Sequence, residues 1–539
     1  MSLDQKLAQM LMPNFRPQLN PEQMEDVLEP GLDPGGVFFF RGDSGEYKRT
    51  AEWLQARCSL PALVTSDLES GAGRMISDCV TFPDLMGLAA AGDLSLAREM
   101  GRATAVEARQ NGVHWTLGPV ADVNANPYNP IDCTRSLGDD PARVAAFSRK
   151  LISGMQERGM AACVKHFPGD GWDDRDQHVC TTVNPLTLDQ WLAHSGKPFA
   201  EAIAAGVKSV MIGHIALPAI DPGDPNDPLG PPPATLSKAI VTGLLRERMG
   251  FQGVIITDAI EMGGLVSRVS SRSELIIRAV NAGCDVLLFS IARTDFNLLK
   301  QAAQTGAIGM SRIDDAVSRV LALKEDLGFA ARPSLALPTG KIAGSERAEF
   351  EAAAKGVARK SITLVRGKAG AVDLSPGDSV LTIHLRAHPE YNVDGFDSLL
   401  EEEGFKVTRK TESDSASGWM DSGFISSLKA IFLLWNMGPT WGTSDIRPGG
   451  DYMRIPCFLR QRFPPCPLLH ISFGYPYMSH DLPWADYLLN AYSPDIHSQR
   501  AALDVILGRI PASGESPVDL SRPDRFAQLL SQNLLSSFS

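Results

Sequence analysis

The 539-residue sequence has no run of eighteen apolar residues, so no segment is expected to cross a membrane as a helix. Its start, MSLDQKLAQMLMPNF, lacks the positively charged region and apolar stretch of a secretory signal, which points to a cytoplasmic protein. A basic footprint is also missing. The chain sets 51 Lys and Arg against 63 Asp and Glu for a net charge of −12, which disfavours nucleic acid and anionic membrane as partners. Eight cysteines are present, but none lies in a C-x-x-C pair or an evenly spaced framework, so reduced, buried thiols are expected. Cys163 and Cys180 are read as small hydrophobes rather than as metal ligands or a disulfide. No H-E-x-x-H or similar fixed metal spacing occurs. An apolar fraction of 44% and a charged fraction of 21% exclude bulk disorder and leave room for a sizeable core.

What is present is an alternation of strand and helix. Continuous apolar runs at 35–40, 61–67, 114–120, 162–168, 209–215, 253–260 and 284–290 suit strands buried on both faces, as in a parallel sheet. Helical patterns at 97–112, 143–159, 239–250 and 273–283 separate several of them and end at glycine. The fold class is therefore α/β, a (β/α)8-type barrel over residues 1–335. A Pro/Gly/Ala-rich connector, AARPSLALPTGKIAG, marks the boundary, and residues 336–539 repeat an α/β pattern expected to form a smaller α/β/α sandwich. Polar residues collect at the C-terminal ends of the barrel strands: Asp67, Lys165, His166, His214, Asp258 and Ser290. That face carries the chemistry of such barrels.

Asp258, in GVIITDAIEMGGL, follows a dry strand, so it is a nucleophile, a base or a capped structural aspartate. Its place on the catalytic face favours a functional role. Residues 165–178, KHFPGDGWDDRDQH, hold two histidines, four aspartates, a lysine and an arginine. Lys165 and His166 sit at a strand end and suit hydroxyl-rich or anionic ligands, the plain alternative for Lys165 being an ion pair with a neighbouring strand's carboxylate. His178 has Asp176 two residues away, a carboxylate able to fix its tautomer and raise its basicity. His166, Asp170, Asp173, Asp174, Asp176 and His178 together would satisfy a metal ion, and Lys165 could form a Schiff base, but those readings leave Asp258 or the long loop without work. No metal and no cofactor are expected.

These segments resemble the family 3 glycoside hydrolases, and within them the β-N-acetylglucosaminidase branch, over almost the whole chain. That branch carries K-H-F-P-G-H-G, four residues, then D-S-H; this chain has KHFPGDG, WDDR and DQH at the same spacing. Two positions depart from the pattern: Asp170 replaces a histidine, with the expectation of added negative charge near the leaving-group side, and Gln177 replaces a serine. The resemblance implies that His178 is the general acid/base, held by Asp176, and that Asp258 is the nucleophile. It further implies sugar-binding roles for Asp67 in SDLESGAGRM, for Arg135 in CTRSLGDDP, and for Lys165 and His166. Surface ion pairing with Asp139 or Asp140 is the alternative for Arg135.

The implied activity is retaining cleavage of terminal β-linked N-acetylglucosamine through a covalent glycosyl-aspartate, with β-glucosides as further substrates. An imidazole in place of the usual carboxylate acid/base does not repel an anionic acceptor, so a retaining phosphorylase with the same residues is the alternative. The expected partners are a small carbohydrate and, for phosphorolysis, inorganic phosphate. A cytoplasmic location fits recycling of cell-wall fragments or of imported chitin fragments. A noncatalytic sugar-binding protein on the same barrel would lack Asp258 or the Asp176–His178 dyad, and both are present. Asp445 and Arg447, in the second half, are read as surface loop residues.

Overall fold

The computed structural model describes residues 1–29, 31–329, 342–387, 392–411, 413–414, 421–442, 445–462 and 466–521. It divides into two compact units: Met1–Leu85, Asp93–Gly356 and Trp441–Asp445 form the first, and Met86–Gly92, Val357–Thr440 and Ile446–Ser539 the second. The connector between the halves lies outside the described residues from 330 to 341, and with it the expected boundary at 335/336.

In the first unit, eight parallel steps close on themselves. The segment carrying Leu11–Met12 and Asn14–Phe15 pairs with Gly36–Phe39 on one side and Leu287–Leu288 on the other. The ring continues through Leu63–Ser66 and Trp115–Thr116, then Cys163–Phe167, Ser209–Ile212 and Val254–Thr257. Bridges Trp115↔Ala161 and Ile256↔Val286 complete it, all parallel. Each strand sends a side chain inward: Met12, Phe38, Leu63, Trp115, Cys163, Met211, Val254 and Leu288 meet in one buried cluster. The interior is thus a packed core, as closed barrels of this size require. Cys163 is one of its fillers. Trp115 keeps its indole N–H satisfied there by donating to Ser209 Oγ at 2.7 Å.

The first strand, LMPNF, is too short and too interrupted by Pro13 for the sequence reading to register it. Its barrel position comes from pairing on both sides.

The helices follow from local signals. Helix Pro141–Gln156 starts with Asp140, whose carboxylate accepts the Ala142 N–H, and with Pro at the first position. It packs against Leu94–Gln110 so closely that a Cβ on Gly154 would lie 2.1 Å from Arg98 O.

The second unit holds a six-stranded sheet. Its order from one edge is Thr363–Arg366, Leu488–Asn490, Leu468–Ser472, Ala430–Asn436, Ser379–Arg386 and Lys406–Thr411. Every pairing is parallel except that of the first edge strand. All seven residues of Ala430–Asn436 are buried, so both faces of the sheet are covered. Helices Gly395–Glu402 and Ile496–Ile506 give Phe396, Leu400, Ala502 and Val505 to the core on one of them. Among the described residues no helix is long and apolar enough to cross a membrane.

Candidate active site

Asp258 leaves the end of strand Val254–Thr257, its own N–H bonded to Ile212 O at 2.9 Å. It is half-buried and accepts the Ala259 N–H at 2.7 Å. Burial pushes its carboxyl upward, but the nearby His166, His214 and His178, with the Ala259 N–H, outweigh that and hold it below the ordinary aspartate range. His214 is fully buried, its ring between Thr235 Oγ1 (2.8 Å) and Ala259 O (3.0 Å), so it braces the turn that carries Asp258.

His178 is part-exposed, and its Nδ1 stands 2.7 Å from Asp176 Oδ1, which also accepts the His178 backbone N–H at 2.8 Å. A carboxylate partner fixes the proton on Nδ1 and leaves Nε2 free to exchange one. The second oxygen of Asp176 accepts the Gly442 N–H at 2.6 Å, and the ring of the exposed Trp441 stands 6.3 Å from that of His178. The loop is held from below by the turn after Asp258. Gly263 N–H donates to His178 O (2.7 Å) and Gly264 N–H to Gln177 O (3.1 Å). A Cβ at either glycine would lie within 2.5 Å of a loop carbonyl oxygen, so neither position admits a side chain.

The third group centres on Glu69. Lys165 Nζ donates to Asp67 Oδ1 at 2.8 Å and pairs with Glu69 Oε1 at 2.7 Å. Arg135 donates from Nε and Nη2 to the two oxygens of Glu69, at 3.0 and 2.9 Å. Burial raises the Glu69 carboxyl, but Arg135 and Lys165 outweigh it and keep the group well below the usual range. Lys165 is lowered by burial and raised more by Asp67 and Glu69, so it is held as a cation. A lysine so paired is poorly suited to Schiff-base chemistry. Asp140 is occupied as a helix cap, and the partner of Arg135 is Glu69. Nothing in the sequence singles out Glu69, which lies in the turn after strand Leu63–Ser66, two residues beyond Asp67.

His166 is fixed by Asp122, another residue the sequence reading passed over. Asp122 Oδ2 lies 2.6 Å from His166 Nδ1, and its two oxygens also accept the backbone N–H groups of His166 (3.1 Å each) and Asp170 (2.8 Å). Asp132 and His166 bring ligand atoms near Asp122, yet those donors already occupy the lone pairs of Asp122, which suits this trio poorly to a metal ion. Asp170 is buried, with its carboxylate engaged by Asn129, Gln177 and the Gly171 N–H. Burial and Asp122 push its carboxyl up to about 7. Asp173 binds Arg175 and the Val183 N–H, so it too is engaged within the loop. Arg447, in the second unit, pairs with Asp481, and Asp445 is exposed.

A closed parallel barrel with a carboxylate and an oriented imidazole at the C-terminal ends of its strands defines a (β/α)8-barrel enzyme. Residues 2–323 match the glycosyl hydrolase family 3 N-terminal domain, and the chain belongs to that family of glycoside hydrolases. A β-N-acetylglucosaminidase/β-glucosidase of Cellulomonas fimi is 32% identical over 529 residues, covering 93% of this chain and 91% of that one. Among solved structures, a β-glucoside phosphorylase, BglX, bound to 2FGlc superposes with a TM-score of 0.87 at 30% identity, covering 97% of this chain and 95% of its own. A family 3 β-N-acetylglucosaminidase from Paenibacillus sp. str. FPU-7 gives 0.84 at 27% identity, covering 96% and 99%.

Proposed function

We propose that the protein is a retaining exo-acting β-N-acetylglucosaminidase that also accepts β-glucosides. Asp258 attacks the anomeric carbon and forms a glycosyl ester while His178 Nε2 protonates the departing glycosidic oxygen. His178, now neutral at Nε2, then takes a proton from water as water attacks the ester carbon, and the sugar leaves with its configuration retained. Asp176 holds the imidazole in the competent tautomer and stabilises its cationic form. Asp67, Arg135, Lys165 and His166 bind the sugar, with Glu69 setting the positions of Lys165 and Arg135. The observation that carries this reading is the 2.7 Å contact of His178 with the buried Asp176, in a loop tied to the turn of Asp258.

A second reading has a specific observation behind it. The acid/base is an imidazole rather than a carboxylate, so phosphate is not repelled as acceptor, and a β-glucoside phosphorylase is among the structures this chain resembles. We propose an intracellular role in recycling sugar fragments of cell wall or chitin, supported by the eight free thiols.

Product analysis with 4-nitrophenyl N-acetyl-β-glucosaminide, with and without millimolar phosphate, tests both. Free N-acetylglucosamine at an unchanged rate is the hydrolase result. Sugar 1-phosphate with acceleration by phosphate is the phosphorylase result, and no turnover of this substrate or of the matching glucoside overturns both.

A further inference from the structure

Gln177 stands between the two members of the Asp176–His178 pair, and its side chain is fully buried. Nε2 donates to Asp170 Oδ2 at 3.1 Å, and Oε1 accepts the His214 N–H at 2.9 Å. The other oxygen of Asp170 accepts from Asn129 Nδ2 at 3.1 Å and from the Gly171 N–H at 2.8 Å. These partners leave no freedom. A backbone N–H only donates, so His214 must face Oε1; Nε2 must then face Asp170, which receives donors on both oxygens. The two positions at which the loop departs from the family pattern are therefore one interacting pair. A serine at 177, one heavy atom beyond Cβ, is too short to span from His214 to Asp170.

We propose that Asp170 and Gln177 are a positioning pair that fixes His178 for proton transfer by tying its loop to the ends of strands Cys163–Phe167 and Ser209–Ile212. Neither side chain bonds His178 or Asp258; both act through the loop backbone, which the Gly263 and Gly264 N–H groups also hold. The proposal rests on the acid/base role given to His178.

The test is a swap in the complete chain. Asp170→Asn alone sets two amide NH2 groups against each other, and Gln177→Glu alone sets two carboxyl groups face to face, which repel at a pH high enough to ionise both, where the kinetics are taken. With both substitutions the amide and the carboxylate exchange places: the new amide donates to the new carboxylate, whose second oxygen still accepts His214, while the amide oxygen accepts Asn129 and Gly171. kcat/KM is measured on two aryl glycosides of the accepted sugar, one with a dinitrophenol leaving group that departs unprotonated and one with a poor phenol that needs the acid. General acid catalysis contributes about 10²–10⁴-fold, so each single substitution is expected to cost at least about tenfold on the poor leaving group and less than about threefold on the good one. The double substitution returns the poor substrate to within about threefold of the parent. Equal losses on both substrates, or no recovery in the double variant, overturn the proposal. His178→Gly is the reference: if its loss does not depend on the leaving group, the acid/base assignment fails instead. Circular dichroism checks folding, and Gln177→Ser, which removes the bridge without opposing charges, gives the same comparison if a single variant unfolds.

Discussion

Glu69 is 5% exposed and carries Lys165 on one oxygen and a two-pronged Arg135 across both. Removing the Glu69 charge leaves Arg135 without its carboxylate and Lys165 with Asp67 alone, at a cost of about 3–5 kcal/mol for the broken buried pair. Glu69→Gln is therefore expected to lower the denaturant midpoint markedly and to raise KM, read by urea unfolding and steady-state kinetics; an unchanged midpoint would mean that the cations find other partners. Asp176 acts on one atom of His178. Asp176→Asn removes the charge that stabilises the imidazolium and permits the wrong tautomer, so kcat should fall about 10²–10⁴-fold with KM within about threefold. The residues of this dyad were legible because they are two apart in one loop. Glu69 and Asp122 were not, because their partners come from other strands.

The helix pair Leu94–Gln110 and Pro141–Gln156 makes a prediction of a different kind. Glu107, on the first helix, is buried and accepts the Val80 N–H at 2.9 Å through Oε2, while Oε1 has no hydrogen-bond partner among the described residues. Burial raises its carboxyl from the ordinary glutamate value of 4.5 to about 7, against the effect of the Val80 bond. A folded-state value above the unfolded one means that the folded chain holds the proton more tightly. The associated stability is complete below about pH 4.5 and lost as pH rises through 7, a change of about 3 kcal/mol at 1.36 kcal/mol per unit. Glu107→Gln keeps the carbonyl acceptor for Val80 and does not titrate. It should be more stable than the parent at pH 8 and closest to it at pH 4.5, as measured by urea unfolding at both values. At this scale several helices were legible from periodicity and terminal glycines, whereas the close approach that forbids a side chain at Gly154 depends on which helix lies opposite.

The whole molecule carries a net charge of −12, so an anionic acceptor approaches against its field while a neutral glycoside does not. In the phosphorylase reading, kcat/KM for phosphate is expected to rise severalfold between about 10 and 150 mM ionic strength as the Debye length contracts from about 30 to 8 Å. kcat/KM for the glycoside should stay flat, and a fall for phosphate would indicate local positive steering at the site. Composition and periodicity by themselves determined the α/β class and seven of the eight barrel strands, because a strand buried on both faces must be apolar throughout. The spacing of one loop determined the dyad, because Asp176 and His178 need only two residues of chain to meet. Barrel closure through the short LMPNF strand, the Glu69 hub and the Asp170–Gln177 bridge were decided by tertiary structure alone. Each depends on which strand ends are brought side by side, and that is fixed by pairing between segments far apart in the chain.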